Sequence, residues 1–351
     1  MVCNPGSLVE TPWPSAFEKE PAVARTTQLT DTFGRQFPYL RLSLTEACNF
    51  RCTYCLPNGY HAIKKDMFLS KPEIIRIVRG FVGLGVWKIR LTGGEPTIRT
   101  DFIEIAEEIS AMEGLKKLAF TTNGYKLSER AESYFSAGLR HINVSIDSLE
   151  PDRFRRITGH DRLGEILDGI VECQRLGFET IKVNAVLLKD LNHDELDKYI
   201  DFVRSKNISV RFIELMRTGE NKDYFDTHHL SGAYVSDFLM SKGWQVAPRE
   251  VGAGPAIEFI HPSSVGSIGL IAPYSKDFCE SCNRLRVSAK GNLHLCLFGE
   301  LGYSLRSYLQ NDGQIEELQE KILSLMKYKK ETHYLHQGET GMTEHLASIG
   351  G

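Results

Sequence analysis

The sequence predicts an α/β fold: six β–α units in series on a parallel sheet, arranged as an open barrel or a doubly wound sheet, followed by a smaller α+β region. Three observations predict it. Short β-type runs alternate with helix-type stretches from residue 39 to about 214. The strand candidates are polar on one parity and apolar on the other. After Met216 the alternation breaks, and at 351 residues there is room for a second region.

The strand candidates, in order, are 40–44, 86–91, 116–122, 141–146, 180–187 and 208–213. Between them lie apolar-periodic helix candidates over 71–85, 102–112, 128–139, 163–177 and 193–206, several ending in Gly as helix C-caps do. Residues 217–228 read as a loop. A helix is expected near 232–241, short strands near 256–260 and 267–271, and helices near 301–310 and 314–327. The final stretch, 336–351, is Gly-rich and reads as weakly structured.

Strands of a parallel sheet are buried on both faces and usually read as unbroken apolar runs. These do not. Arg41, Ser43 and Thr45 share one face, as do Arg90 and Thr92, Thr121 and Asn123, Ser145 and Asp147, and Lys182 and Asn184. Leu42, Leu44, Ile89, Leu91, Val144, Ile146, Val183 and Ala185 take the other. Burying so many polar groups without water or ligand is costly. The parity therefore predicts a wet cavity lined by Arg41, Arg90 and Lys182, with Asp147 as the main counter-charge, suited to an anionic ligand.

Hydrophobic residues make up 42% and charged residues 25%, which excludes collagen-like, disordered and disulfide-scaffold classes. Lys plus Arg is 42 against Asp plus Glu 45, a net charge of -3, so nonspecific nucleic-acid binding is not expected. No apolar run is long enough for a membrane helix. The first residues lack a basic-then-apolar signal and carry Glu10, Glu18 and Glu20, so a cytoplasmic location is expected. Of 8 cysteines, six fall in two groups, and Cys3 and Cys173 stand alone, Cys173 as a buried apolar residue of a helix. In a reducing compartment grouped thiols point to metal or redox chemistry.

Cys48, Cys52 and Cys55 follow the first strand. A structural zinc site wants four ligands, whereas three thiolates on a [4Fe–4S] cluster leave one iron open to a ligand. Gly93-Gly94-Glu95-Pro96 ends the second strand, and two glycines let bare backbone approach a ligand. In this cysteine spacing, this turn and the β–α series, the chain resembles the radical S-adenosylmethionine enzymes. The resemblance implies an incomplete (βα)6 TIM-like barrel whose open iron holds S-adenosylmethionine and whose reduction yields an adenosyl radical. Tyr54 fits the aromatic position against the adenine; by spacing alone it is equally a loop aromatic on the core.

Cys279, Cys282 and Cys296 form the second group. With His294 they make a zinc knuckle on spacing alone, although two ligands two apart on a β-type run are unusual. Arg284 and Arg286 alternate on one strand face, a phosphate fork or a pair of surface arginines. A radical-cofactor core, a second cysteine trio beside Arg-x-Arg and a Gly350-Gly351 end together resemble the GTP 3′,8-cyclase family of molybdenum-cofactor biosynthesis. The resemblance runs from about Asp31 to the last residue.

It implies two [4Fe–4S] clusters, on Cys48, Cys52 and Cys55 and on Cys279, Cys282 and Cys296, the second with an open iron facing guanine. It implies S-adenosylmethionine contacts at Tyr54, Gly93, Gly94, Glu95, Ser145 and Met216, the last against strand parity. It implies GTP contacts at Arg41, Arg90, Thr121, Lys182, Arg284 and Arg286, and a tail, 341–351, that enters the active site, with Arg41, Gly350 and Gly351 as the catalytic set. The preceding LASI differs from the arginine- or methionine-containing tail of the family. The domains are then a mobile arm (1–35), the partial barrel (36–216), an α+β extension carrying the auxiliary cluster (217–340) and the tail. The implied enzyme is a lyase that forms a carbon–carbon bond within GTP. Its implied partners are a flavodoxin- or ferredoxin-type electron donor, a downstream cyclic pyranopterin monophosphate synthase and a second copy in a homodimer. The competing readings are a peptide-modifying radical enzyme with an auxiliary cluster and a zinc-binding scaffold.

Overall fold

The computed structural model describes residues 28–61, 67–249, 252–276, 278–299, 302–338, 340–341 and 346–350. Residues 1–27 of the expected arm, with Cys3, and Gly351 of the tail lie outside them. The six expected strands are β1 (Tyr39–Ser43), β2 (Lys88–Thr92), β3 (Lys117–Thr122), β4 (His141–Ser145), β5 (Thr180–Leu187) and β6 (Ser209–Glu214). They pair in parallel and in sequence order. A doubly wound sheet needs the strand order to reverse at a switch point. None occurs here, so the six units form an incomplete (βα)6 barrel.

The helices of the barrel are α1 (Lys71–Gly83), α2 (Phe102–Ser110), α3 (Leu127–Ser136), α4 (Pro151–Thr158), α5 (Leu163–Leu176) and α6 (Leu196–Arg204). Local chemistry sets their ends. At the start of α1 the Ser70 backbone N–H donates to Glu73 Oε2 at 2.8 Å, and a proline stands in the first turn, where its missing N–H costs nothing. α5 stops at Gly177, which takes the left-handed conformation at φ 82° that a side chain would disfavour. α4 escaped the periodicity because it has only two turns and a strongly charged face. Cys173 of α5 is fully buried among apolar neighbours.

The C-terminal region adds α7 (Lys222–His228), α8 (Ala233–Ser241), β7 (Gln245–Val246), β8 (Ile257–Ile260), β9 (Ser267–Ile271), β10 (Arg284–Val287), β11 (Asn292–His294), β12 (Tyr303–Ser304) and α9 (Ile315–Met326). Two expectations fail here. Part of the expected 217–228 loop is helical: the Asn221 side chain ties back to Thr218 N–H and Met216 O, closing the turn from which α7 starts, and Asp223 stands in its first turn. Most of the expected 301–310 helix is instead β12 and a short 3-10 turn, Arg306–Tyr308, because Arg306 is pulled off any helix face to bind Glu73 and the carbonyls of Met67 and Phe68.

The extension does not sit beside the barrel. It lengthens both edges of one 12-stranded sheet, in the order β12-β11-β10-β1-β2-β3-β4-β5-β6-β9-β8-β7. β10 is parallel to β1 and β9 is parallel to β6, so eight strands run the same way. Outside the sheet, Leu42, Leu91, Val144 and Val183 are fully buried beneath the helices. The apolar parity is therefore the core, and the polar parity faces the lumen. The end of the expected arm is also packed: Leu29 is buried, and Arg35 binds Asp31 and the carbonyls of Cys279, Lys330 and Glu331.

Candidate functional site

The first cysteine group lies at the C-terminal end of the strands, where barrel enzymes carry their chemistry, and the lumen runs from there to the strands' N-terminal ends, where Cys279 and Cys282 precede β10. The loop after β1 brings Cys48, Cys52 and Cys55 to the C-terminal end, each half-buried. It is clamped against the turn after β2: the N–H of Gly94 donates to Thr45 O, and that of Glu95 to Ala47 O, both at 2.8 Å. A Cβ on Gly93 would stand 2.2 Å from Thr45 O, and one on Gly94 2.4 Å from Ala47 O, so this contact requires glycine at both positions. Glu95 is completely buried, and its carboxylate accepts from Thr97, Thr122 and the N–H of Asn123. That carboxylate holds the turn together; only the backbone of the Gly93-Gly94-Glu95 turn is left to meet a ligand.

The first trio sits among carboxylates. Burial pushes the Cys48 thiol up to about 11, with Glu95 adding to the rise. Burial and Cys48 push Cys55 up to about 12. Burial, Asp147 and the other two thiols raise Cys52. The expected role of Asp147 as counter-charge to the cationic lumen does not hold. β4 ends at Ser145, so the chain has already turned: Asp147 takes the Tyr54 hydroxyl at 2.9 Å and the Val186 N–H at 2.8 Å, and burial raises it to about 6. Ser145 pairs in register with Asn184, whose buried Oδ1 has no partner in the described structure.

The lumen is a cavity of about 760 Å³, lined by Arg41 of β1, Lys88 and Arg90 of β2, Lys117 of β3, Lys182 of β5, Arg211 of β6 and Arg284 and Arg286 of β10. Register puts them side by side: Arg41 stands between Arg90 and Arg286, and Tyr39 between Lys88 and Arg284. Arg90 donates to Tyr39 Oη at 2.8 Å, to Phe120 O and to Thr121 Oγ1. Burial alone would raise Tyr39, but Arg90, Arg41 and Lys88 together pull it down to about 6. Burial, then Arg211, lowers Lys182 to about 7. The carboxylate that does meet these cations is Glu258 of β8, bound to Arg211 and accepting from Ser209.

The second trio lies on the same wall: Cys279, Cys282 and Cys296 all line the cavity beside Arg284 and Arg286. Its surroundings are cationic. Burial would raise Cys282, yet Lys329, Arg284 and Arg35 bring it below the usual thiol value. Burial raises Cys296 against the pull of Lys329. Burial and Arg286 hold His294 down at about 4. Among the described residues, no three His, Cys, Asp or Glu side chains converge on the position of a single metal ion.

The tail runs between the two trios. Ala347 donates its N–H to the Cys55 thiol. Gly350 O accepts from Arg41 Nε at 3.0 Å, Arg41 Nη2 at 2.7 Å and Arg286 Nη1 at 2.6 Å. Gly350 has φ 63°, and a Cβ there would meet Thr92 Cγ2 at 2.2 Å.

Strand parity therefore located Arg41, Arg90 and Lys182 in the lumen. Arg284 and Arg286 join them because β10 adds to β1. Met216 also lines the cavity: it lies two residues past β6, where strand parity no longer applies. Gly93, Gly94 and Ser145 stand at or just past the C-terminal ends of β2 and β4, with Tyr54 in the loop after β1, and Thr121 accepts from Arg90; these five are not among the residues that line the cavity. Tyr39, Lys88, Lys117 and His141 were not among the expected site residues, although each has the lumen parity of its strand. Neither were Arg211 and Glu258, and for Glu258 no local pattern announces the pairing of β8 to β9.

A family model described as the Radical SAM superfamily matches residues 42–203, and one described as Molybdenum Cofactor Synthesis C matches residues 208–335. Curated relatives named GTP 3′,8-cyclase include one from Stenotrophomonas maltophilia, 57% identical over 325 residues, covering 93% of this chain and 100% of its own. Another, from Aeromonas hydrophila, is 52% identical over 345 residues, covering 97% of this chain and 100% of its own. Among solved structures, Streptococcus suis SuiB bound to S-adenosylmethionine superposes with a TM-score of 0.58 at 14% identity, over 86% of this chain and 67% of that one. That likeness shows the fold.

Proposed function

The chain belongs to the GTP 3′,8-cyclase family of the radical S-adenosylmethionine superfamily, and from that premise we propose that it converts GTP to 3′,8-cyclo-7,8-dihydro-GTP, the first step of molybdenum-cofactor biosynthesis. The observation that carries the reading is one cavity in which cations of six strands face the second cysteine trio, with the tail linking it to the first trio.

Cys48, Cys52 and Cys55 would hold one [4Fe–4S] cluster, and Cys279, Cys282 and Cys296 a second whose open iron takes the guanine. Tyr54, Ser145, Met216 and the backbone of the Gly93-Gly94-Glu95 turn would hold S-adenosylmethionine. When bound, the first cluster and this cofactor supply a 5′-deoxyadenosyl group that removes one hydrogen atom from C3′ of the ribose. The C3′–C8 bond then forms within GTP. One electron and one proton replace the hydrogen lost, so the product is an isomer of GTP.

The chain's own task is placement. Arg90, Lys182, Arg284 and Arg286 bind the triphosphate in bidentate or point-charge fashion, with Thr121 fixing Arg90. Pinning both ends of the nucleotide sets C3′ against the cofactor and C8 against C3′, the near-attack geometry worth most in such a reaction. Arg41 and the Gly350-Gly351 end complete the reacting face and exclude water. Forming a carbon–carbon bond by this route makes the enzyme a lyase. It would work in the cytoplasm, as a monomer or homodimer, fed by a flavodoxin- or ferredoxin-type donor and followed by a cyclic pyranopterin monophosphate synthase. The peptide-modifying alternative has only fold-level likeness behind it, at 14% identity.

The test is anaerobic reconstitution with GTP, S-adenosylmethionine and dithionite. The expected result is about eight irons per chain and GTP-dependent formation of 5′-deoxyadenosine with an equal amount of a chromatographically distinct GTP isomer. Cofactor cleavage that leaves GTP unchanged would overturn the reading, and zinc in place of iron would return it to a scaffold.

A further inference from the structure

Lys329 is a buried cation with no carboxylate partner among the described residues. It follows α9, and only 4% of its surface is exposed. Its ammonium donates to the carbonyl of Leu295, the residue before Cys296, and stands 4.9 Å from the centre of the Phe37 ring. No carboxylate among the described residues pairs with it. A carbonyl dipole and a ring face do not neutralise a full charge, and an uncompensated buried ion costs several kcal/mol. A chain that keeps lysine there needs an anion nearby. Its carbonyl partner adjoins Cys296, and its charge pulls down the thiols of Cys282 and Cys296.

A second cation stands beside it, this one with a carboxylate. Arg35 comes from the segment before β1: its Nε binds Asp31, its Nη1 donates to the carbonyls of Cys279 at 3.0 Å and of Glu331, and its Nη2 to that of Lys330. Phe37, which carries the ammonium on its ring, belongs to the same segment. The strap before β1 and the end of α9 thus meet at the second cysteine group, and Lys329 is the charge they enclose.

We propose that Lys329 is the built-in counter-ion of the second iron–sulfur cluster, a positioning residue that stabilises the cluster's reduced form and so raises its potential. The proposal rests on the second cluster of the function above. A cubane held by three thiolates is an anion, and one-electron reduction makes it more negative; a fixed cation within its low-dielectric shell favours that extra electron. The arrangement also explains why the cation is lysine rather than a neutral residue of the same length, such as methionine, which the apolar part of the site would accept.

The test uses the full chain carrying Cys48→Ala, Cys52→Ala and Cys55→Ala, so that iron resides only at the second group, reconstituted anaerobically with ferrous iron and sulfide. Iron content and the midpoint potential, followed by electron paramagnetic resonance, are compared with and without Lys329→Met and Lys329→Arg. Lys329→Met is expected to keep about four irons while the oxidised-to-reduced ratio at fixed poise rises at least tenfold, a fall of about 59 mV for one electron, and Lys329→Arg to restore the original value. An unchanged potential in Lys329→Met overturns the proposal. If Lys329→Met loses its iron, retention in Lys329→Arg supports the role of the charge, and loss in both variants reduces Lys329 to packing and overturns it. Absence of iron from the parent with an intact Lys329 instead refutes the second cluster itself.

Discussion

The two cysteine groups are built alike in sequence and oppositely in charge. Both offer three half-buried thiols; the first three lie in one loop after β1, whereas Cys279 and Cys282 precede β10 and Cys296 follows β11. The first is ringed by Glu95 and Asp147, which with burial push its thiols up. The second is ringed by Lys329, Arg284 and Arg35, which pull Cys282 down. Surroundings of one sign oppose or favour an added electron, so under the proposed function the same ligand set would serve two tasks. A cluster among carboxylates is hard to reduce and hence strongly reducing, as cleavage of a sulfonium demands. A cluster among cations is better suited to binding and holding an electron-rich base. The direct consequence is a lower potential for the first cluster than for the second, and equal potentials in the two single-cluster proteins would break the comparison.

The largest expected effect separates the groups outright. Cys52→Ser should abolish 5′-deoxyadenosine formation while iron remains at the second group; residual cleavage near the wild-type rate would show that the two trios are not distinct in role.

A smaller but still large effect is expected where the tail bridges them. Gly350→Ala meets both a positive φ and a Thr92 clash. The left-handed conformation alone costs about 1–2 kcal/mol, so cyclisation should fall about tenfold or more, with GTP affinity within about twofold by calorimetry. Undiminished turnover would detach the tail from the reaction.

Arg284→Ala should weaken GTP binding about 10- to 100-fold, as loss of a charge-assisted contact worth about 1.5–3 kcal/mol does, and leave the first cluster's spectrum unchanged. Equal affinities would remove its role.

The smallest effect is a pH dependence. Lys182 is held at about 7 by burial and Arg211, and its charged form is the one a triphosphate binds. Because this pKa is depressed in the free protein, binding takes up a proton above neutrality and none well below it. GTP affinity should therefore drop roughly tenfold from about pH 6.5 to 8.5, with proton uptake visible in buffers of different ionisation heat. Lys182→Met should bind weakly but lose that slope.

Much of this was legible from residue order. The alternation of β and α segments predicted six strands within one or two residues, because parallel strands and their crossover helices carry distinct periods. Polar parity predicted the lumen, because polar groups repeated at every second residue on five strands have no cheap burial. What escaped depends on pairing far along the chain. Asp147 shares the parity of Ser145, yet β4 stops first and the side chain turns to Tyr54. Glu258 reaches Arg211 only through the β8–β9 hairpin. Arg306 breaks its own helix to satisfy Glu73. Lys329 reads as one more surface lysine in a run of them, since nothing local shows that Phe37 and Leu295 close over it.

The most direct measurement of the central claim follows one atom. GTP bearing deuterium at C3′, given to the anaerobically reconstituted protein with S-adenosylmethionine and dithionite, should pass that label to 5′-deoxyadenosine, one deuterium per turnover, as the cyclised isomer appears. Unlabelled 5′-deoxyadenosine formed alongside a product that keeps its C3′ deuterium would contradict the placement of GTP between the two cysteine groups.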